Sequence, residues 1–209
     1  MEKKEHISKA VTGRLPRYYR FLCDLEDRGV ERISSKGLSE KMGTTASQIR
    51  QDLNCFGGFG QQGYGYNVRQ LKSNIADILG LCEIKTAIMI GAGNMSKALV
   101  NHFEFRQKGF NLVGIFDKNP ALSGHILNGF PIRHVDLLDE FCRENRPDAA
   151  VLCIPKKDAQ DVADQLVRLG IKGFWNFSHA DLKLPSDVAV ENVHIGDSLM
   201  TLCYKLESK

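Results

Sequence analysis

The chain lacks the marks of several protein classes. Its six cysteines, Cys23, Cys55, Cys82, Cys142, Cys153 and Cys203, contain no Cys-x-x-Cys pair, and no His/Cys cluster has zinc-finger spacing. They read as reduced, mostly buried thiols, with no disulfide framework and no metal expected. The N-terminus is polar and charged, without the apolar core of a secretory leader, and no apolar run approaches the roughly 18 residues needed to span a bilayer. The expectation is a cytoplasmic protein without a membrane partner. Nor is there the charge excess or apolar poverty of a disordered chain, because 43% of residues are apolar and 25% charged. At 209 residues the length allows two small domains.

What charge excess exists is unevenly placed. Residues 1–83 hold 13 Lys/Arg against 10 Asp/Glu, and residues 84–209 hold 15 of each, so the net +3 belongs to the first part. Lys3, Lys4, Lys9, Arg14, Arg17 and Arg20 face only Glu2 and Glu5 over the first 20 residues. This implies either a polyanion partner or a solvated basic helix face.

Apolar residues from Ile7 through Val11, Leu15, Tyr18, Leu22 and Leu25 recur at the helical period. Pro16 belongs in a first turn, so the main helix is expected from near Arg14 to Gly29, preceded by an arm or short helix. A second helix is predicted over Lys36–Met42, with Ser35 as N-cap and Gly43 as a left-handed stop. The third follows at once, because Thr45 to Gln48 fits a capping box and Ala46, Ile49, Leu53 and Phe56 make an apolar face. Ser47, Arg50, Gln51 and Asn54 remain on the other side. Two short helices joined by a glycine turn form a helix-turn-helix, and Arg, Gln and Asn match the donor and acceptor patterns of base edges. A solvated helix is the alternative. The stretch from Gly57 to Tyr66 alternates glycine with aromatic and amide residues, as a hairpin wing or a plain glycine-rich loop would.

After an amphipathic helix around Val68–Leu79, the run Thr86–Ile90 has the character of a buried parallel strand. It ends in Gly91-Ala92-Gly93-Asn94-Met95-Ser96 and passes into a helical pattern. This is the order required of a dinucleotide site, in which Gly93 admits the pyrophosphate to the helix N-terminus and Ser96 replaces the third glycine. A second apolar strand, Leu112–Phe116, ends at Asp117, 24 residues after Gly93. An acidic group near this spacing takes the ribose hydroxyls of NAD and repels the extra phosphate of NADP. Further units follow: a helix at Asp136–Glu144, a strand at Ala149–Ile154, a helix at Asp158–Leu169 and a strand at Gly173–Phe177. The alternation argues an α/β, Rossmann-like doubly wound parallel sheet, with Pro155 and the turn Asn176-Phe177-Ser178 at its ligand-binding ends. Ile195, Leu199, Leu202 and Leu206 form an apolar stripe on a final helix, which its own domain or a second subunit must cover.

These residues resemble the Rex family of redox-sensing repressors from Arg14 to Leu206. The most specific segments are Ala46-Ser47-Gln48-Ile49-Arg50-Gln51-Asp52-Leu53, then Phe59-Gly60-Gln61-Gln62-Gly63-Tyr64-Gly65-Tyr66, then Gly91-Ala92-Gly93-Asn94. The resemblance implies a winged helix-turn-helix domain at 1–80, a Rossmann domain binding NADH or NAD+ at 81–193, and a dimerisation helix at 194–209 that swaps between subunits of a homodimer. It also implies repression from a palindromic double-stranded DNA operator of fermentative or respiratory genes, relieved by NADH. The expected DNA contacts are Arg14, Arg17, Tyr18, Tyr19, Lys36, Ser47, Gln48, Arg50, Gln51, Gly63 and Tyr64, with Arg14, Arg17 and Tyr18 on phosphates. The expected nucleotide contacts are Gly91, Ala92, Gly93, Asn94, Met95, Ser96, Asp117, Lys118, Pro155, Asn176, Phe177 and Ser178. Gln61-Gln62 replace a Lys-Arg pair common in the wing, and His102 and His194 stand where many members carry Tyr and Asp. The competing classes are a dehydrogenase, a CoA-binding domain or an NAD-binding adaptor. His125, His134 and His179 lack the partnered motif a catalytic acid/base needs, so no enzyme and no catalytic residue is expected.

Overall fold

The computed structural model describes residues 8–57 and 64–208. The chain divides into two compact units, Met1–Glu83 and Ile84–Lys209.

In the first unit a short helix α1 (Lys9–Thr12) precedes α2 (Leu15–Asp27), whose first turn carries Pro16. Helix α2 buries Leu15, Tyr18, Leu22 and Leu25 along one stripe. It stops two residues before the expected Gly29, which takes a left-handed φ of 71° beyond the helix end. Strand β1 (Arg32–Ile33) was not legible as a strand, being two residues long. Helix α3 (Ser35–Met42) is capped by Ser34 rather than Ser35, the Ser34 hydroxyl accepting from the Gly37 amide at 3.0 Å, and Gly43 closes it in the left-handed conformation. Helix α4 (Ala46–Asn54) starts at Thr45, whose Oγ1 accepts from the Gln48 amide at 3.1 Å. The Gln48 side-chain amide donates to Asp52 at 2.8 Å. Strand β2 (Tyr66–Asn67) pairs antiparallel with β1, so the partner of the glycine-rich segment's return strand lies before α3. Gly65 allows this close approach. Its φ is +71°, and a Cβ would sit 2.7 Å from the Ile33 carbonyl oxygen. Residues 58–63 of the expected wing, including Gln61, Gln62 and Gly63, lie outside the described residues. Helix α5 (Val68–Leu79) completes the unit and buries Val68, Leu71 and Ile75 in the same core. Each such fully buried aliphatic contributes about 1.5–3 kcal/mol.

The second unit is one seven-stranded sheet. Its elements in order are β3 (Lys85–Ile90), α6 (Asn94–His102), β4 (Phe110–Asp117), β5 (Ile126–Leu127), β6 (Phe130–His134), α7 (Leu138–Asn145), β7 (Ala149–Leu152), α8 (Lys156–Arg168), β8 (Gly173–Asn176), β9 (Ala189–Asn192) and α9 (Ile195–Glu207). The strand order is β5-β6-β4-β3-β7-β8-β9, parallel throughout except for β5. The order reverses between β3 and β7, and the crevice outside their carboxyl ends is where open α/β sheets take ligands. Successive strand residues face opposite layers. Ile88 and Ile90 pack toward α7 and α8 with Leu138, Ala163 and Leu166, whereas Met89 and Ile115 join Val100 of α6. The strands expected to reach Ile154 and Phe177 end two residues and one residue earlier, as the chain turns out of the sheet toward the crevice. The extra strands β5, β6 and β9 are short, interrupted by Pro131, or weakly apolar, and they escaped the period test. Helix α9 buries none of its residues within the chain, leaving Ile195 53%, Leu199 64%, Leu202 50% and Leu206 64% exposed.

Candidate functional site

The outer face of α4 carries Ser47, Arg50, Gln51 and Asn54, all exposed. Arg50 Nη1 donates to Ser35 Oγ of α3 at 3.1 Å, which ties the guanidinium base to the preceding helix while leaving other donors open. Lys36 of α3 and Arg17 of α2 are also exposed, the Arg17 guanidinium lying 5.9 Å from the Phe21 ring. Tyr64 is 72% exposed, and Arg32 both donates to its carbonyl at 3.2 Å and lies 5.9 Å from its ring centre. Arg32 escaped the sequence reading, although a cation opposite a glycine-tyrosine segment was a usable signal.

The inner face of α4 gathers three of the expected DNA-contacting residues, Arg14, Tyr18 and Gln48, around one buried carboxylate. Asp52, 1% exposed, accepts Arg14 Nε at 2.6 Å, Arg14 Nη2 at 2.7 Å, Tyr18 Oη at 2.8 Å and Gln48 Nε2 at 2.8 Å. Burial by itself would raise the Asp52 pKa. The hydrogen bonds from Arg14, Gln48 and Tyr18, with the guanidinium charge, outweigh it and hold the carboxyl below its usual range. Tyr18 is 1% exposed, with its hydroxyl on the carboxylate. Arg14 and Gln48 aim their donors at the same carboxylate. Arg14 and Tyr18 tie the start of α2 to α4, and Gln48 braces the carboxylate from within α4. Tyr19 is half-buried against the core, and burial first, then Cys23, raises its phenol pKa.

At the crevice, Gly91 has φ +94°, and a Cβ there would lie 2.4 Å from the Cys153 carbonyl oxygen. No other residue fits that turn. Gly93 meets nothing within 4 Å, so open space faces the first turn of α6, where the amides of Asn94, Met95 and Ser96 have no intrahelical partner. Ser96 is fully buried and donates its hydroxyl to the Gly91 carbonyl at 2.6 Å, tying helix to turn in place of a third glycine. Asp117 accepts the Ala92 amide on one oxygen at 2.7 Å and the Asn119 amide on the other at 2.8 Å. Each carboxylate oxygen retains a lone pair for a hydroxyl donor. Burial pushes the neighbouring Cys153 thiol up to about 11, so it remains protonated and inert at neutral pH.

The remaining expected contacts separate into two groups. Lys118 and Pro155 are exposed at the strand ends, and Lys118 Nζ pairs with Asp158 Oδ2 at 2.7 Å, which lowers the Asp158 pKa. Asn176 and Ser178 are buried and occupied. The Asn176 amide donates to the Ala180 carbonyl and to Asn192 Oδ1, both at 2.8 Å, and its oxygen accepts the Ser178 hydroxyl at 2.6 Å. Their polar groups brace the turn after β8. Phe177 packs edge-on against Trp175, centroids 4.7 Å apart. Trp175, Phe103 and Phe105 in turn line an apolar groove of about 410 Å³ on the sheet face.

Fold and site define a two-unit protein in which a helix-turn-helix module is joined to a Rossmann sheet with a dinucleotide-type glycine turn. Residues 6–54 match the family model described as a putative DNA-binding protein N-terminus, and residues 83–180 match that of a CoA binding domain. The chain is 54% identical over its whole length to a redox-sensing transcriptional repressor Rex of Thermoanaerobacter pseudethanolicus, covering 93% of that protein. It is 52% identical over 99% of its length to the Rex of Clostridium perfringens, covering 97% of it. A solved Rex-family repressor, RSP in complex with beta-NAD+ and operator DNA, shares 54% identity with a TM-score of 0.91, covering 98% of this chain and 94% of that one. RSP in complex with beta-NADH gives 51% and 0.90, covering 98% and 96%. The chain belongs to the Rex family of redox-sensing transcriptional repressors. It is a regulator of transcription, not an enzyme.

Proposed function

We propose that this chain acts in the cytoplasm as a homodimeric repressor that holds a palindromic DNA operator and releases it when NADH binds. The observation that carries this reading is the near-complete match to a solved relative bound to both NAD+ and operator DNA. On the first unit, Arg50, Gln51 and Ser47 are assigned to base edges, and Arg17, Lys36 and the segment around Gly63 and Tyr64 to phosphates and the groove wall. On the second, the free amides at Gly93, Asn94 and Met95 suit the pyrophosphate, and Asp117 suits the ribose hydroxyls. Lys118, Pro155 and Phe177 complete the rim. In domain terms the division is 1–80 for DNA, 81–193 for nucleotide and 194–209 for dimerisation.

The dimer reading rests on two apolar surfaces that the single chain leaves open: the α9 stripe and the aromatic groove on the sheet. A swapped α9 would cover both. Two recognition helices then meet successive major grooves, about 34–36 Å apart, in only one arrangement of the dimer. NADH favouring another arrangement lowers DNA affinity, and linkage demands that DNA lower NADH affinity by the same factor. The test is a pair of titrations, NADH with and without saturating operator, and operator with and without saturating NADH. Equal ratios well above one support the proposal, and ratios near one overturn it. Removing residues from Ile195 onward is expected to leave a monomer without tight operator binding. The CoA binding domain model favours a second reading, CoA in the same crevice. Competition of CoA against bound NADH separates the two.

A further inference from the structure

The aspartate that marks the ribose end of the crevice is followed at once by a cation. Lys118 is exposed, and its backbone is held on both sides: the Asn119 amide donates to Asp117 Oδ1 at 2.8 Å, and the Lys118 carbonyl lies 3.2 Å from His134 Nε2. The choice of partner is left to the side chain. Its Nζ donates to Asp158 Oδ2 at 2.7 Å. Asp158 belongs to the first turn of α8, where its amide donates to the Pro155 carbonyl at 3.0 Å. Lys118 follows directly on β4 and Asp158 lies just beyond β7, and β3 runs between these two strands in the sheet. The ion pair therefore spans the carboxyl end of β3, from which the glycine turn of residues 91–93 leaves. It draws the ammonium from the β4 side of the crevice toward the β7 side.

This placement bears on which dinucleotide fits. In Rossmann sites a carboxylate at the end of the second strand takes the ribose hydroxyls of NAD, and a basic residue nearby is what accommodates the 2′-phosphate of NADP. The chain carries both groups side by side, so Asp117 by itself does not decide the preference. An ammonium left at the β4 end would offset the repulsion between Asp117 and a 2′-phosphate, and one held by Asp158 does not. We propose that Asp158 is a positioning residue for cofactor choice, keeping Lys118 from the 2′-phosphate and so helping to exclude NADPH. The inference rests on the reading of the crevice as a dinucleotide site with Asp117 at the adenosine ribose. The hydrogen bond from Lys118 holds the Asp158 carboxyl below its usual range, so Asp158 is charged throughout the neutral range and the hold persists there. The two side chains are 64% and 30% exposed, and a pair of this kind holds its cation by no more than about fivefold. The expected change is of that size.

The full-length protein is titrated calorimetrically with NADH and, separately, with NADPH, as the unmodified chain and as Asp158→Asn, Lys118→Met and the double variant. Asparagine keeps the size of the aspartate side chain, and melting followed by the fluorescence of Trp175, in the second unit, checks that each variant is folded. The expected result is that Asp158→Asn shifts the ratio of NADPH to NADH affinity toward NADPH by about fivefold, because the freed ammonium turns to the phosphate. Made on the Lys118→Met background, the same substitution is expected to leave the ratio within about twofold of that background. An unchanged ratio in folded Asp158→Asn would overturn the proposal. So would an equal gain on the Lys118→Met background, since loss of a negative charge, and not release of Lys118, would then be the cause. Absence of NADH binding by the unmodified chain would instead remove the dinucleotide reading of the crevice, and this inference with it.

Discussion

Replacing Tyr18 by phenylalanine removes one hydroxyl from a core that otherwise keeps its shape. That hydroxyl is one of four donor contacts to a carboxylate 1% exposed. A hydrogen bond to a charged group is worth about 1.5–3 kcal/mol net, and the three donors that remain keep the loss at the low end, about 1.5–2 kcal/mol. For a unit of this size that corresponds to a fall in melting temperature on the order of 10 °C. Arg14→Ala removes two contacts and the countercharge. Breaking a buried pair costs about 3–5 kcal/mol, and the partial exposure of Arg14 places it near 3 kcal/mol. The only tryptophan, Trp175, lies in the second unit, so its fluorescence is an internal control while circular dichroism at helical wavelengths follows both units. The expected outcome is an early loss of helical signal in both variants with an unchanged tryptophan transition. The low pKa of Asp52 sets a pH signature as well. Its stabilisation is present above the unfolded carboxyl pKa of about 3.9 and disappears as pH falls through the depressed folded value, so Asp52→Asn should flatten the acid limb of the first unit's stability. The reasoning would be refuted if Arg14→Ala melted like the unmodified protein yet lowered the slope of log affinity against log salt by about 0.9, the mark of one lost phosphate contact.

Three further outcomes test the sites. Arg50→Ala is expected to cost about 1–3 kcal/mol in operator binding and to relax base preference at one position, read by competition among operator variants; unchanged preference would remove α4 from base reading. Asp117→Ala should narrow the preference for NADH over NADPH, because the repulsive carboxylate is lost, and it should also weaken NADH itself by freeing the Ala92 amide; both are read by fluorescence titration. Gly91→Ala drives a Cβ to 2.4 Å from the Cys153 carbonyl, so NADH binding should be lost altogether, with operator binding by the unmodified first unit as the control.

Much of this molecule was legible in one dimension because the forces concerned are local or periodic. The stripe of α2, the glycine stop of α3 and the Thr45 cap each depend on residues within a turn or two, and Val68–Leu79 matched its helix at both ends. The order strand, glycine turn, helix, strand, aspartate was equally readable, because the Gly91 φ and the close approach at Cys153 allow only glycine. The short strands were not. Arg32–Ile33 and Tyr66–Asn67 become strands only by pairing with each other, Arg32 with Asn67 and Ile33 with Tyr66, too far apart in the chain for any short window of sequence to contain both.

The same distinction governs the side chains. Sequence alone determined that Arg14, Tyr18, Gln48 and Arg50 are donors near a reading helix, because donor chemistry is a property of the residue. Which of them face outward was decided by tertiary structure. Asp52 accepts from partners 38, 34 and 4 positions away, and a buried carboxylate takes the donors it needs to offset its lost hydration. Arg50, on the opposite face of the same helix, is left for solvent and partner. Likewise Asn176 and Ser178 sit at a ligand-binding strand end by sequence, and packing joins them to brace the turn after β8. Period and composition decide which residues an element offers; burial, acting between residues far apart in the chain, decides which of those offers are taken up inside.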